Sequence, residues 1–195
     1  MVKPQGYDQA PAYTGESQAL PAGGYICKII KAQETTSTSG RPMLAILFDI
    51  VEGEFKDYFR DQYDRVKQSN PDAKWGGVFR QLTDGTSTPF FKGMITSIEV
   101  SNSGYKWNWD EKTLSGKLFG GVFGREQYAN GTGELRWATK CQSIRSVEAI
   151  RKGVEIPADK YLPSTSGTQS PAVPSYSNGA VGDFQAISSD DDLPF

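Results

Sequence analysis

Apolar and polar residues alternate along much of this chain, and turn-forming stretches cut the alternation into short segments. Residues 1–19 are rich in Gln, Gly, Pro, Ser and Tyr, show little apolar pattern and read as a flexible arm. After the turn-like Leu20-Pro21-Ala22-Gly23-Gly24, Tyr25, Cys27 and Ile29 alternate with Ile26 and Lys28. This predicts a strand with a bulge near Ile30. The polar residues 34–41 separate it from residues 43–51, where Leu44, Ile46, Phe48 and Ile50 share one face, so the two runs read as a hairpin. Residues 55–63 fit two periods. Phe55, Phe59, Tyr63 and Val66 suit a helix, whereas period two places Lys56, Tyr58 and Arg60 together on one face. A third strand that extends the meander is the expectation.

Residues 64–86 are mixed in pattern, with a short helix plausible over 74–82. A firmer helix signal follows. Ser87-Thr88-Pro89 supplies a capping hydroxyl with proline in the first turn, and Phe91, Ile95 and Ile98 recur at helical spacing. Residues 117–128 and 134–147 read as two closing strands around Asn130-Gly131, a strong hairpin turn. Three strands, a helix and two strands is the order of the OB fold, a five-stranded, closed or partly open barrel. The expected fold is therefore mainly β, with one domain over residues 20–160. From residue 161 onward Ser, Pro, Gly, Thr and Gln dominate. Such a stretch buries too little surface to offset its ordering entropy, and reads as a disordered linker.

Composition narrows the chemistry. The chain has 195 residues, 37% of them apolar and 12% aromatic, enough for one modest core with rings to spare. It has no run near the roughly 20 apolar residues of a membrane span, and its start lacks the apolar stretch of a secretory leader. A cytoplasmic protein without membrane contact is expected. There is no histidine, and Cys27 and Cys141 are the only cysteines. That removes Ser-His and Cys-His nucleophile pairs and His or four-Cys zinc sites, and the thiols read as reduced core residues. All 21 basic residues precede position 161, whereas Asp183, Asp190, Asp191 and Asp192 follow it. The body is weakly basic and the end purely acidic.

The last hairpin carries the richest candidate surface. Lys117, Phe119, Phe123 and Arg125 share a face of the fourth strand, and Arg136 and Lys140 alternate along the fifth with the inward candidates Leu135, Trp137 and Cys141. Cations interleaved with rings suit single-stranded nucleic acid: phosphates pair with the charges and unpaired bases stack on the rings. The alternative is that Phe119 and Phe123 are core, with Gly120, Gly121 and Gly124 relieving a bend. Trp107 and Trp109 are either a clasp over the barrel mouth or further stacking rings. Asp57, Asp61 and Asp64 would share a helical face, as carboxylates for Mg²⁺ require, but interspersed Lys56, Arg60 and Arg65 favour a solvated surface. No Walker loop, dinucleotide fingerprint or nucleophile elbow is present, so neither catalysis, cofactor nor metal is expected.

The chain ends in Asp190-Asp191-Asp192-Leu193-Pro194-Phe195. Phe195 can fill an apolar pocket while its terminal carboxylate meets a cation, with the aspartates adding attraction at the rim. This ending resembles the acidic tip of bacterial single-stranded DNA-binding proteins, whose common form is Asp-Asp-Asp-Ile-Pro-Phe and whose linker is likewise rich in Gly, Pro, Ser and Gln. The body is more similar to phage-encoded OB-fold binders of single-stranded DNA, through residues 20–25, the Ser39-Gly40-Arg41-Pro42-Met43-Leu44 hairpin and Leu114-Ser115-Gly116-Lys117. The resemblance implies sequence-independent coating of single strands and recruitment of replication, recombination or repair proteins through the tip, in a host bacterial cytoplasm. Lys117, Arg125, Arg136 and Lys140 would meet phosphates. Phe119, Phe123 and Trp107 or Trp109 would stack bases, and Lys56, Tyr58 and Arg60 would extend the track. A protein-binding adaptor is the alternative function, and homo-oligomerisation is left open.

Overall fold

The computed structural model describes Lys3 and residues 19–162. The rest of the expected arm, and the expected linker and tip beyond Leu162, lie outside the described residues. Among the described residues five strands form one antiparallel sheet in the order β3-β2-β1-β4-β5, accompanied by three helices. Strand β1 (Gly23–Thr36) pairs with β2 (Pro42–Ile50), and its register shifts between Ile29 and Lys31. Ile30 is thus the bulged residue, as the alternation predicts. The extra residue resets the phase of the strand, so Cys27 and Ile29 before it and Ala32 after it all belong to the core.

The first departure from expectation follows β2. Residues 58–69 form helix α1 (Tyr58–Ser69) rather than a third strand. The first N–H groups of a helix need acceptors from elsewhere, and the adjacent Asp57 makes no side-chain cap. The cap comes from the sheet. Asp49, only 3% exposed near the end of β2, accepts from the N–H groups of Ile50 at 2.9 Å, Phe59 at 3.0 Å and Arg60 at 3.1 Å. Burial pushes this carboxyl's pKa up, while the three N–H donors pull it down.

Strand β3 (Val78–Leu82) replaces the short helix expected over 74–82, and pairs with β2 from Met43↔Leu82 to Leu47↔Val78. The chain can reach that position because residue 77 is glycine. A Cβ there would lie 2.2 Å from the carbonyl oxygen of Phe48. Helix α2 (Thr88–Ser101) forms between β3 and β4 as predicted and buries Phe91, Met94, Ile95 and Ile98. A 3-10 turn (Gly85–Ser87) leads into it, and the Ser87 hydroxyl makes no cap bond. Asn102 ties the end of α2 to β4: its amide donates to Ile98 O and Leu118 O, and its Oδ1 accepts from Leu118 N.

Strand β4 (Leu118–Ala129) pairs with β1 through Gly23↔Phe123 and with β5 (Leu135–Arg145) from Gly120↔Arg145 to Ala129↔Leu135. In the loop joining them the left-handed residue is Gly133, and Asn130 Oδ1 accepts from the N–H groups of Thr132 and Glu134. The chain was expected to remain a strand up to residue 147. Instead it turns at Ser146, whose hydroxyl accepts from Ala149 N, into helix α3 (Val147–Lys152). Helix α3 lies against Gly120, where a Cβ would come within 2.3 Å of Ile150 Cγ1. Among the described residues no ladder joins β3 to β5, so hydrogen bonding does not close the sheet into the expected barrel. No helix among them is long and apolar enough to cross a membrane.

The cap at Asp49 makes a test of what holds α1 in place. Asp49→Ala leaves buried N–H groups without an acceptor and should cost about 1–3 kcal/mol in urea unfolding. Asp49→Asn, which keeps one acceptor oxygen, should lose less.

Candidate nucleic-acid interface

The two phenylalanines expected to stack bases do not reach solvent. Phe119 and Phe123 are both 0% exposed. Their rings meet Phe48 edge-on at 5.3 and 5.9 Å, and Phe123 stacks on Phe59 at 6.4 Å. They are core, because the face they share with Gly121 is the inner face of the sheet. The glycines between them admit protein. Gly120 receives α3, while Gly121 lies where a Cβ would crowd Phe123 and stand 3.3 Å from each thiol sulfur. Those thiols, in Cys27 and Cys141, are free, and burial raises both pKa values, that of Cys141 to about 12.

The expected track through Lys56, Tyr58 and Arg60 also dissolves, since a helix turns alternate residues away from each other. Tyr58 is half-buried against Phe55 and Phe59, and its hydroxyl accepts from Leu20 N at 3.3 Å. Arg60 is exposed and lies 3.5 Å from Asp57. Lys56 borders a shallow cleft with Phe55, Asp61 and Arg65. Trp75 is structural as well, its indole N–H donating to Phe48 O at 3.0 Å.

Besides Tyr63, whose ring carries the Lys67 ammonium at 4.9 Å, two places among the described residues present rings and cations to solvent. The first is the loop between α2 and β4. Trp107 packs edge-on against the buried Phe91 at 5.6 Å, and its indole N–H donates to Asp110 O. Trp109 lies over Trp107 at 4.7 Å between centroids, 78% exposed, with a left-handed φ of 68°. Of the pair expected as either a clasp or stacking rings, Trp107 packs onto the core and Trp109 stands in solvent. Glu99 anchors the loop by accepting from Trp107 N at 3.0 Å and from Lys106 Nζ at 2.9 Å. The Lys106 ammonium, followed by that N–H, holds its pKa below the usual carboxylate range. Asp110 caps a 3-10 turn (Glu111–Leu114), and Lys117 stands over the Tyr105 ring at 4.4 Å.

The second place is the β4–β5 hairpin. Cross-strand pairs share a face, so Arg125↔Thr139 and Gln127↔Trp137 lie on one side, and Gly124↔Lys140 and Tyr128↔Arg136 on the other. The four cations expected to form one path are therefore divided, and most are already balanced. Arg125 lies over the Trp137 ring at 4.7 Å and 3.6 Å from Asp159, Lys140 is 3.7 Å from Glu126, and Arg136 is 3.1 Å from Glu134. Trp137 escaped the functional reading because it alternates in phase with Cys141 and so looked like core. The strand outruns the core, which leaves Trp137 half-exposed. Tyr161 and Leu162, expected in the linker, pack here too: Tyr161 meets Trp137 edge-on at 5.1 Å, and Leu162 N donates to Gln127 Oε1. The acidic tip, Asp190 to Phe195, lies outside the described residues.

Residues 7–80 match a family described as "Protein of unknown function (DUF669)", a span that includes β1, β2 and α1 and enters β3. No curated protein matches the chain.

The division of rings between core and surface has a direct measure. Phe123→Ala should cost about 3–5 kcal/mol in urea unfolding, whereas Trp109→Ala should stay within about 0.5 kcal/mol of the parent. The loop should also respond to acid. A lowered carboxylate pKa contributes stability above its unfolded-state value, which is lost as the pH falls through the folded one. Tryptophan fluorescence should accordingly show an acid transition that Glu99→Gln abolishes.

Proposed function

We propose that this protein binds single-stranded nucleic acid without regard to sequence, protects it during phage DNA replication and recombination, and recruits replication proteins through its acidic end. The observation that carries this reading is Trp109. A bulky side chain in the left-handed region costs about 1–2 kcal/mol, and an indole left in water forgoes its burial. A loop that keeps both penalties, and braces the ring on a second tryptophan, holds a flat apolar surface ready for a ligand. Bases of a single strand offer such a ligand, since every base has a face to stack and no sequence need be read. Bases inside a duplex are already stacked, which gives the preference for unpaired strands.

Charge supports the reading more modestly. Lys106, Lys112 and Lys117 belong to the same loop, and Arg125 with Trp137 forms a second pairing of cation and ring. Phosphates would compete with the carboxylates that now hold Lys106 and Arg125, so binding should depend strongly on salt. We further propose that the sheet is an OB-type barrel. The strand order, the helix between β3 and β4, and the contact of β3 with β5 favour it. In this reading the chain is not an enzyme and uses no cofactor.

Titration with oligo-dT at low and high salt, followed by tryptophan fluorescence, tests the proposal. Quenching should appear at low salt and weaken as salt rises, and matched duplex should bind less tightly. Trp109→Ala should lose about tenfold in affinity while keeping its unfolding midpoint. A full-length chain that ignores oligo-dT in dilute buffer would end the proposal.

A further inference from the structure

Strand β4 loses its neighbour halfway along. β1 pairs with it only as far as Gly23↔Phe123, yet β4 continues to Ala129. Residues 159–162 occupy the vacated edge. Lys160 N donates to Arg125 O at 2.9 Å and Gln127 N donates to Lys160 O at 2.8 Å, which makes a parallel bridge between Glu126 and Lys160. Successive residues of an extended segment point to opposite faces, and the contacts follow that rule. Asp159 lies 3.6 Å from Arg125 and Tyr161 sits edge-on to Trp137, while Lys160 reaches the other face to meet Glu126 at 3.1 Å.

This attachment is shallow. It is a single bridge outside the named strands. Its side-chain contacts are open to water, with Tyr161 70% exposed. The side chains of Arg125 and Asp159 are 46% and 32% exposed, and exposed pairs of this kind each shift an equilibrium by no more than about fivefold. The contacts are also of a particular kind. A carboxylate on a guanidinium stands where a phosphate would stand, and a phenol ring set edge-on covers an indole on which a base would stack.

We propose that residues 159–162 are a removable strap that imitates a nucleotide on a subsite formed by Trp137 and Arg125, and that single-stranded nucleic acid displaces it. This rests on the function proposed above. A base takes the place of Tyr161 and a phosphate that of Asp159, and the β4 edge at residues 125–127 is uncovered. The freed residues join the tether that precedes the acidic end, adding about 13 Å to its fullest reach at roughly 3.3 Å per residue. Arrival of the ligand thereby moves the partner-recruiting tip outward.

Hydrogen exchange on the full chain, read peptide by peptide by mass spectrometry with and without saturating oligo-dT, tests the strap directly. Oligo-dT should speed exchange at residues 160–162 and at Gln127, with β4 residues 119–123 unchanged. In fluorescence anisotropy at low salt, Tyr161→Ala and Asp159→Asn should each bind oligo-dT about threefold more tightly than the parent. If oligo-dT binds but the strap amides keep or gain protection, or if Tyr161→Ala binds more weakly, the strap proposal is overturned and the binding function stands. If neither the parent nor the variants bind oligo-dT, both fall.

Discussion

Phe48 sits toward the end of β2 with 1% of its surface exposed, and it joins four parts of the chain at once. Its ring receives Phe59 from α1 and Phe119 and Phe123 from β4, all edge-on within 6 Å between centroids. Its backbone N–H donates to Gly77 O, and its carbonyl accepts from the Trp75 indole. Edge-on rings add about 0.5–1.5 kcal/mol per pair beyond the area they bury, so this junction fixes the seat of α1, the approach of β3 and the inward face of β4 together. The placement of the candidate interface follows from it. Once Phe119 and Phe123 are committed to Phe48, only rings outside the junction remain for a ligand.

Much of the strand pattern could be read in the residues because it is local. The bulge at Ile30, the hairpin of β1 and β2, the helix with Phe91, Ile95 and Ile98, and the last two strands all announce themselves within a few positions. What could not be read depends on contacts distant in sequence. Helix α1 lacks a local cap and takes one from Asp49, so the aromatic spacing of residues 55–63 was equally compatible with a strand. Strand β3 owes its place to a glycine that lets it pass close over Phe48. Helix α3 sits where Gly120 leaves room across the sheet. The candidate site shows the same split: period two correctly grouped Phe119 with Phe123, but could not say which face was inward. The pairing of Trp137 with Tyr161 joins residues of β5 to a segment that reads as linker by composition alone.

The surface is economical with charge. Arg60, Arg125, Arg136 and Lys140 each have a carboxylate within 4 Å, so these four cations sit in neutralised pairs instead of forming a bare positive stripe. Exposed pairs of this sort are exchanged readily, because water screens both partners. A polyanion that offers several phosphates at once can replace the local carboxylates one after another. The rings differ in kind. Trp109 is braced from below by Trp107 and stands open to solvent, whereas Trp137 carries Arg125 over its ring and meets Tyr161 edge-on.

Beyond Phe123 the β4–β5 ribbon projects past β1 as a cantilever of about 20 Å, six residues at roughly 3.4 Å each. Two strands alone make a pliant beam, marginal in water unless something lies alongside. The segment at residues 159–162 lies alongside that beam at residues 125–127, joined by one parallel bridge between Glu126 and Lys160. Support for the finger therefore depends on whether four residues far downstream, 159–162, are in place beside its middle.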